Sequence, residues 1–327
     1  MKALVYTAPE ILDYRDVPDP EPGNGHALIR IDSVGICGSD MHAFLGHDER
    51  RPAPLILGHE GAGIIQGGPR DRERVTINPL VTCGSCPACT AGRDNLCADR
   101  QIISMPPREG AFAQFVMMPP DNLVTVPEHV TLDQAALAEP IACGWHAVRV
   151  GRAILAGDAP SSALVIGGGA IGVGAALSLR AQGVADVTLI EPNPVRRANL
   201  EVGADYAVLA PEAIAGQLYD LTIDGAGYDA TRAAAAAATR PGGVILHIGL
   251  GGGAAGLDIR RLTLQEIAFV GTYTYTAQDF RDTCTAMFDG HLGPLDWLET
   301  RPLAEGARAF DDIRNGRNAS PKIILKP

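Results

Sequence analysis

Four cysteines that lie within fifteen residues are the strongest chemical signal in this sequence. They follow the spacing C-x2-C-x2-C-x7-C and are Cys83, Cys86, Cys89 and Cys97. Thiolates two residues apart can turn toward one ion, and four of them form the closed tetrahedral shell of a structural zinc site. Two disulfides or free thiols are the alternatives, and a reducing setting disfavours the disulfides. Because a closed tetrathiolate has no open position for a substrate, catalytic chemistry has to lie elsewhere.

Three further motifs carry residue types that bind zinc. Cys37 lies in GICGSDMH, and the adjacent His59 and Glu60 lie in LGHEGAG. Glu139 precedes a proline in LAEPIACGWHAV. Three protein ligands and one open position are the arrangement of a catalytic zinc. Spacing alone does not connect these motifs, since a buried thiol and surface acids would give the same residues.

A glycine-rich turn between a predicted strand and a predicted helix indicates a dinucleotide site. The turn has the spacing G-x-G-x-x-G, and its candidate cofactor-binding residues are Gly167, Gly169, Ile171 and Gly172. The first glycine permits the tight turn, the second the approach of a pyrophosphate, and the third close packing of helix on strand. The helix N-terminus then offers free N–H groups to the phosphates. A glycine turn in an empty α/β domain is the alternative.

Glu191 is the candidate ribose-binding residue, because it lies nineteen residues after Gly172 at the end of the next predicted strand. A carboxylate there accepts hydrogen bonds from the ribose hydroxyls and repels a 2′-phosphate, so NAD is favoured over NADP. Arg196 and Arg197 weaken this preference, because an arginine nearby could hold that phosphate.

Two regions with different patterns must position these residues. Up to about residue 140, short strands are broken by Gly and Pro, and ALIRIDSVGI alternates at period two, which is typical of a loop-rich β domain. From about residue 141, strands and helices alternate, which predicts a mostly parallel sheet. The last segment, SPKIILKP, predicts a strand that returns to the first region. We therefore predict a dinucleotide-binding domain over 141–271 and a catalytic domain formed by 1–140 and 272–327.

Composition and charge exclude several partner classes. The 327 residues carry a net charge of −11, which argues against nucleic acid or an anionic membrane as the main partner. No apolar run approaches the ~18–20 residues that span a bilayer. The start, MKALVYTAPE, lacks the apolar core of a signal peptide. We therefore expect a cytoplasmic enzyme, and that setting favours metal over disulfides at the cysteine cluster.

Taken together and in order, GICGSDMH, LGHE, the four cysteines, EPIACGWHAV and VIGGGAIG resemble the zinc-dependent medium-chain alcohol and polyol dehydrogenase family over essentially the whole chain. The resemblance implies an α/β fold with a Rossmann-type doubly wound parallel sheet and a mainly-β GroES-like catalytic domain. It also implies two Zn2+ per subunit, NAD, and a homodimer or homotetramer. Glu139 before proline and the tail from Gly251 are similar to the polyol and sugar-acid branch. The implied reaction is therefore NAD-linked oxidation of a secondary alcohol on a small polyol, sugar alcohol or sugar acid.

The resemblance also implies residue roles. The catalytic zinc ligands would be Cys37, His59 and Glu139. Glu60 would be an alternate ligand, Ser39 would contact the reacting oxygen, and His42 would pass the proton to solvent. The four clustered cysteines match the structural zinc lobe of the family.

Two departures from the family leave alternatives open. Residues 67–75 form a shorter loop than usual, and Thr274 replaces an arginine of the sorbitol-type enzymes, so the identity of the polyol is open. A threonine-type or simple-alcohol dehydrogenase of the same fold is one alternative. A non-catalytic NAD-binding sensor or scaffold is the other.

Overall fold

The strands of the first part of the chain are short and are separated by turns. The computed structural model describes residues 1–21, 23, 25–155 and 160–327. In the part up to residue 155, the strands β1 to β10 are Lys2–Ala8, Ile11–Asp16, Ala27–Gly35, Leu55–Ile56, Glu60–Gln66, Arg74–Ile77, Leu80–Val81, Gln101–Ile102, Phe115–Met118 and Leu123–Thr125. The helices α1 to α4 are Gly38–Phe44, Pro87–Thr90, Leu132–Ala135 and Ala138–Ile154, and 3-10 helices cover Asp94–Leu96 and Pro120–Asn122.

Strands and helices alternate through most of the remaining described residues. From residue 160 onward, the strands β11 to β18 are Ser162–Ile166, Asp186–Ile190, Ala207–Leu209, Tyr219–Asp224, Thr239–His247, Ala268–Gly271, Leu298–Pro302 and Lys322–Lys326. The helices α5 to α10 are Ala170–Ala181, Pro194–Glu201, Asp229–Ala238, Ile259–Leu264, Ala277–Phe288 and Gly306–Arg314. Within the described ranges, no helix is both long enough and apolar enough to cross a bilayer.

The central sheet of the second part is parallel and has the order β13-β12-β11-β14-β15-β16. This order reverses direction beside β11, which is the arrangement of a doubly wound dinucleotide-binding fold. The strands are buried on both faces: Val165 and Leu189 have no exposed surface on one face, and Leu164 and Ile245 have none on the other. Helices α4 and α5 cover one face and α7 covers the other. The predicted doubly wound sheet is confirmed.

The other large sheet joins both ends of the chain. Its order is β10-β6-β5-β3-β18-β17, with β9 also paired to β3. The last strand, β18, runs antiparallel to β3, with Ile324 opposite Gly35. A smaller sheet, β2-β1-β4, packs beside it. The final segment of the sequence therefore returns to the first region, as its pattern predicts.

Helix α4 connects the two sheets. It begins at Ala138 and continues without a break across the predicted domain boundary between residues 140 and 141. Its first residues share a buried core with Tyr275, Phe280 and Ile324. The side chains predicted to carry chemistry lie around this junction, so α4 positions them relative to the parallel sheet.

Candidate active site

Three predicted zinc-binding side chains converge where β3, α1 and β5 meet. Cys37 is the N-cap residue of α1, His59 directly precedes β5, and Glu60 opens that strand. One donor atom from each of the three lies within 4.8 Å of the others. A thiolate, an imidazole and a carboxylate at this spacing suit one Zn2+. The donor set therefore fits the metal that the sequence implies.

The ring of His59 is oriented by a buried carboxylate. Asp40 Oδ1 lies 3.4 Å from His59 Nδ1, and Ser104 Oγ lies at the same distance. Asp40 is itself held by the N–H groups of Gly58 and Cys37. With Nδ1 engaged, Nε2 is the nitrogen left to face a metal. Burial opposes the charged imidazole, but the Asp40 carboxylate outweighs it and raises the pKa of His59.

Glu60 is neutralised by a buried lysine. Lys322 Nζ donates to Glu60 Oε1 at 2.7 Å and to Oε2 at 2.6 Å, and it also donates to the Ile36 carbonyl. Burial lowers the pKa of Lys322, but the charge of Glu60 outweighs that effect and raises it. Gly35 makes room for the carboxylate, because a Cβ there would lie 2.0 Å from Glu60 Oε2. The ammonium therefore competes with any metal for this carboxylate.

Glu139 lies in the first turn of α4, outside the compact group of donor atoms. It is buried, and the Tyr275 hydroxyl donates to its Oε1 at 2.8 Å. Burial raises the pKa of Glu139 to about 7, and the charges of His59 and Glu60 also act on it. The structure thus brings the predicted alternate ligand, Glu60, into the group and places Glu139 beside it.

Ser39 and His42 lie three residues apart on α1, so they share one face of that helix. Both are partly exposed. The Ser39 carbonyl accepts a hydrogen bond from Arg51 Nη1 at 3.0 Å. Arg51 is buried and also donates through Nε to the carbonyl of Ser104, the residue beside His59. One guanidinium therefore links the backbone of the predicted relay residue to the backbone next to the candidate metal ligand.

The four clustered cysteines surround one point. Their sulfur atoms lie within 4.8 Å of one another. The shortest sulfur–sulfur distances are 3.5 Å, far beyond a disulfide bond of about 2.05 Å. The backbone N–H groups of Ser85 and Cys86 lower the pKa of the Cys83 thiol to about 6. Clustered sulfurs, one of them readily ionised, fit a closed zinc shell and argue against two disulfides.

The predicted dinucleotide turn connects β11 to α5. Gly167 has a φ of 102°, and a Cβ on Gly172 would lie 1.8 Å from the Gly167 carbonyl oxygen, so both positions require glycine. Gly169 is the N-cap of α5, and no atom lies within 4 Å of where its Cβ would be. An open backbone at the start of a twelve-residue helix fits a pyrophosphate. Ile171 is partly buried and packs against the core of α4.

Glu191 follows β12 and is buried beside this turn. Its Oε2 accepts from the N–H of Gly168 at 2.9 Å and its Oε1 from the N–H of Asn193 at 2.7 Å. Each oxygen keeps a second acceptor position, which a ribose hydroxyl can use. Arg196 Nη1 lies 3.6 Å from the carboxylate, and Arg196 Nε is buried without a hydrogen-bond partner in the described residues. Glu191, which favours NAD, and Arg196, which could hold the 2′-phosphate of NADP, are thus direct neighbours.

The sequence did not identify Asp40, Lys322 or Tyr275 as partners of the candidate ligands. A signal existed for Asp40, which is part of GICGSDMH, and for Lys322, which is one of three lysines in the chain and lies in the apolar strand KIILK. A buried charge in such a strand requires a partner. Tyr275 had no comparable signal, because its contact with Glu139 spans 136 residues.

Two family models match the chain. The model for an alcohol dehydrogenase GroES-like domain matches residues 23–128, and the model for a zinc-binding dehydrogenase matches residues 170–289. The first match confirms the predicted GroES-like assignment. The second covers the parallel sheet apart from β11 and continues through α9.

Known relatives match this chain over nearly its whole length and over nearly the whole of their own. L-galactonate-5-dehydrogenase of Escherichia coli (strain K12) is 31% identical over 99% of this chain and 98% of its own length. Sorbitol dehydrogenase of Macaca fascicularis is 31% identical over 99% of this chain and 95% of its own. A solved structure of a thermostable alcohol dehydrogenase from Pyrobaculum aerophilum covers 100% of this chain and 99% of its own, at 25% identity and a TM-score of 0.88.

Proposed function

Because the chain belongs to the zinc-binding alcohol dehydrogenase family, we propose that it reversibly oxidises a secondary alcohol of a polyol, sugar alcohol or sugar acid with NAD as hydride acceptor. The convergence of Cys37, His59 and Glu60 within 4.8 Å is the observation that carries this proposal. Glu139 lies next to the group on the helix that leads into the dinucleotide-binding sheet. An arrangement of this kind places a Lewis-acid site and a nicotinamide site in one cleft.

The residues of the site divide the chemical work. A zinc ion bound there would polarise the substrate hydroxyl, and NAD would accept the hydride. Ser39 would accept the hydroxyl proton at Oγ while it passes its own proton on, and His42 would carry that proton to solvent at its imidazole. Asp40 keeps the His59 tautomer fixed through Nδ1. Arg51 holds the backbone of Ser39 in place.

The proposal includes two zinc ions per subunit and a preference for NAD. The second zinc would be bound by the four clustered cysteines, whose sulfurs already surround one point. The buried carboxylate of Glu191, at the end of β12, supports NAD, because it would accept from the ribose and repel a 2′-phosphate. Arg196, 3.6 Å away, supports some use of NADP as well.

Substrates that carry a carboxylate are favoured within this class. The names of the relatives cover a sugar acid, in L-galactonate, and a sugar alcohol, in sorbitol. The guanidinium of Arg100 lies 4.9 Å from the ring centroid of Tyr273, and its Nε donates to the phenol oxygen. Two residues after Tyr273 lies Tyr275, whose hydroxyl donates to Glu139. A cationic side chain next to this segment supports recognition of a sugar acid.

The setting and assembly belong to the same proposal. All seven cysteines lie in the described residues and are free, which suits a reducing cytoplasm in which thiolates bind metal. We include a homodimer or homotetramer, as the family resemblance implies. The net charge of −11 supports a small-molecule substrate, with no nucleic acid or membrane as partner.

An NADH-formation screen with zinc-loaded protein tests the proposal. Alditols, aldonates, L-threonine and ethanol should be compared at equal concentration, with NAD and NADP in parallel. We expect turnover of aldonates or alditols with NAD, and we expect Cys37→Ser to abolish turnover while NAD binding remains. Turnover of L-threonine or ethanol alone would contradict the substrate class. No NADH from any alcohol would favour the non-catalytic NAD-binding alternative.

A further inference from the structure

Residues 273–277 connect the parallel sheet to α9 in an unfavourable conformation. Thr274 has a φ of 46°, which a β-branched residue rarely adopts. Its hydroxyl is buried and has no hydrogen-bond partner among the described residues. Such a conformation persists only where surrounding contacts fix it. The contacts on both sides of Thr274 therefore identify what holds this segment.

Two hydrogen bonds to the backbone of this segment come from Asp94 and Asn95, in the loop that contains the four cysteines. Asn95 Nδ2 donates to the Tyr273 carbonyl at 2.8 Å, and Asp94 Oδ2 accepts from the N–H of Ala277 at 2.9 Å. Asp94 and Asn95 begin the 3-10 helix that ends directly before Cys97, and the Cys97 N–H bonds to the Asp94 carbonyl. Asn95 is 3% exposed, so its amide is committed to this contact. The loop that contains the four cysteines thus forms hydrogen bonds with both ends of residues 273–277.

The same segment, residues 273–277, carries the Tyr275 hydroxyl that donates a hydrogen bond to Glu139. Tyr275 is 1% exposed, stacks on Phe280 with ring centroids 5.5 Å apart, and donates to Glu139 Oε1. The phenol has little freedom to compensate for a backbone shift, because it is fully packed. A displacement of residues 273–277 would therefore move the donor away from Glu139.

We propose that Asp94 and Asn95 are positioning residues for the candidate active site, which they reach through Tyr275. The cysteine cluster then acts as a clamp that sets the orientation of Glu139, in addition to holding its own loop together. This inference rests on the proposed function only in taking Cys37, His59 and Glu139 as the surroundings of a metal. Partners that orient metal-binding carboxylates typically change metal affinity or activity by about 10–100-fold.

Cobalt substitution and a double-mutant cycle test the clamp. Co2+ in place of the catalytic zinc gives visible bands that report ligand geometry. We expect Asp94→Ala and Asn95→Asp to shift these bands and to lower kcat about tenfold, with the KM for NAD unchanged. Asp94→Asn keeps an acceptor for the Ala277 N–H, so its cobalt bands and its kcat should both stay close to those of wild type. Thr90→Ala, which alters only a contact inside the cysteine loop, is the matched control and should behave as wild type.

The cycle distinguishes action through Tyr275 from a general loss of structure. Tyr275→Phe should lower kcat to a similar extent, and Asp94→Ala added to it should have no further effect. The proposal would be overturned if Asp94→Ala lowered kcat by the same factor in wild type and in Tyr275→Phe. It would also be overturned if Asp94→Ala left the cobalt bands unchanged. If Asp94→Ala loses the cysteine-bound metal, Asn95→Asp serves in its place. If no substrate is turned over, the cobalt bands and the hydrogen exchange of the Ala277 N–H still decide the question.

Discussion

At the residue scale, two buried carboxylates compete for one place beside the candidate zinc. Glu60 is inside the compact group but is bound through both oxygens to Lys322. Glu139 is outside the group, and a neutral phenol binds one of its oxygens. An ammonium is a stronger competitor for a carboxylate than a hydroxyl is. We therefore propose that Glu139 is the carboxylate more readily given to a metal and that Glu60 is the alternate.

Replacement of each carboxylate by alanine separates these roles. We expect Glu139→Ala to lose more zinc affinity than the about 10–100-fold that loss of a partner of a ligand typically costs, as measured by competition with a chromogenic chelator. Glu60→Ala should retain zinc better but should unfold more easily, by about 3 kcal/mol, because Lys322 is left buried and unpaired. The reverse pattern, with zinc lost only in Glu60→Ala, would make Glu60 the resident ligand.

We propose that Glu191 and Arg196 set the preference between NAD and NADP. A hydrogen bond to a charged group contributes about 1.5–3 kcal/mol. We therefore expect Glu191→Gln to raise the KM for NAD by roughly tenfold or more and to narrow the ratio of kcat/KM for NAD over NADP. Arg196→Gln is the matched change and should lower activity with NADP only. If Glu191→Gln leaves the ratio unchanged, the carboxylate serves only the N–H groups of Gly168 and Asn193.

The candidate ligands could be identified from the sequence because each lies in a short motif. The cysteine spacing and the glycine turn are local patterns, and local patterns survive without knowledge of the fold. Their partners come from distant segments: Lys322 is 262 residues from Glu60, and Asn95 is 178 residues from Tyr273. Which of two nearby carboxylates lies inside the metal group depends on these long-range contacts. The family resemblance implied Glu139 as the ligand and Glu60 as the alternate, but local residue patterns alone could not decide between them.

At the element scale, periodicity predicted a parallel sheet in the second region and a loop-rich β domain in the first, but not where α4 begins. Alternation of strands and helices predicted the parallel sheet, and SPKIILKP predicted the return of β18 to β3. The domain boundary was placed after Pro140, yet α4 starts at Ala138 and includes Glu139. Element ends are set by tertiary contacts as much as by propensity. Helix α4, which carries the candidate ligand Glu139, also packs on the parallel sheet of the cofactor-binding half.

The shortened loop between β5 and β6 is fastened by one ion pair. Arg70 donates to Glu73 Oε2 through Nε at 2.6 Å and to Oε1 through Nη2 at 2.8 Å. Glu73 also accepts a short hydrogen bond from Thr125 on β10. The hydrogen bonds from Arg70 are the main cause that lowers the pKa of Glu73 from its ordinary 4.5 to about 2.

This pair predicts a pH-dependent contribution to stability. Since the folded-state pKa of Glu73 lies below the unfolded value, the contribution is present above about pH 4.5 and is lost as the pH falls toward 2. The pair is partly exposed, so we expect about 1 kcal/mol or less. Arg70→Gln should lower the urea midpoint at pH 7, and its difference from wild type should shrink as the pH falls toward 2. Arg72→Gln, an exposed arginine in the same loop, should show no such difference.

At the scale of the whole molecule, a buried charge cluster ties the two halves together. Asp279 on α9 is 1% exposed and binds two residues of α4, through His146 Nδ1 at 2.7 Å and Arg149 Nε at 2.5 Å. Thr276 also donates to the same carboxylate. The His146 and Arg149 contacts outweigh burial and hold the pKa of Asp279 well below its usual range. Helix α4 is thus fixed at its middle by α9, while its first turn carries Glu139.

Loss of the Asp279 charge should therefore loosen the junction as a whole. Asp279→Asn keeps the size of the side chain but removes the ion pair. We expect it to lower the free energy of unfolding by about 2 kcal/mol, less than a fully buried pair would, because Arg149 is half exposed. Asp282→Asn on the same helix removes an equal charge that accepts a hydrogen bond from Gln278 and acts on Arg149 only at a distance, so its effect should be much smaller. Thermal denaturation of both variants, with and without NAD, measures the difference. Equal midpoints would mean that α9 and α4 are held by apolar packing alone.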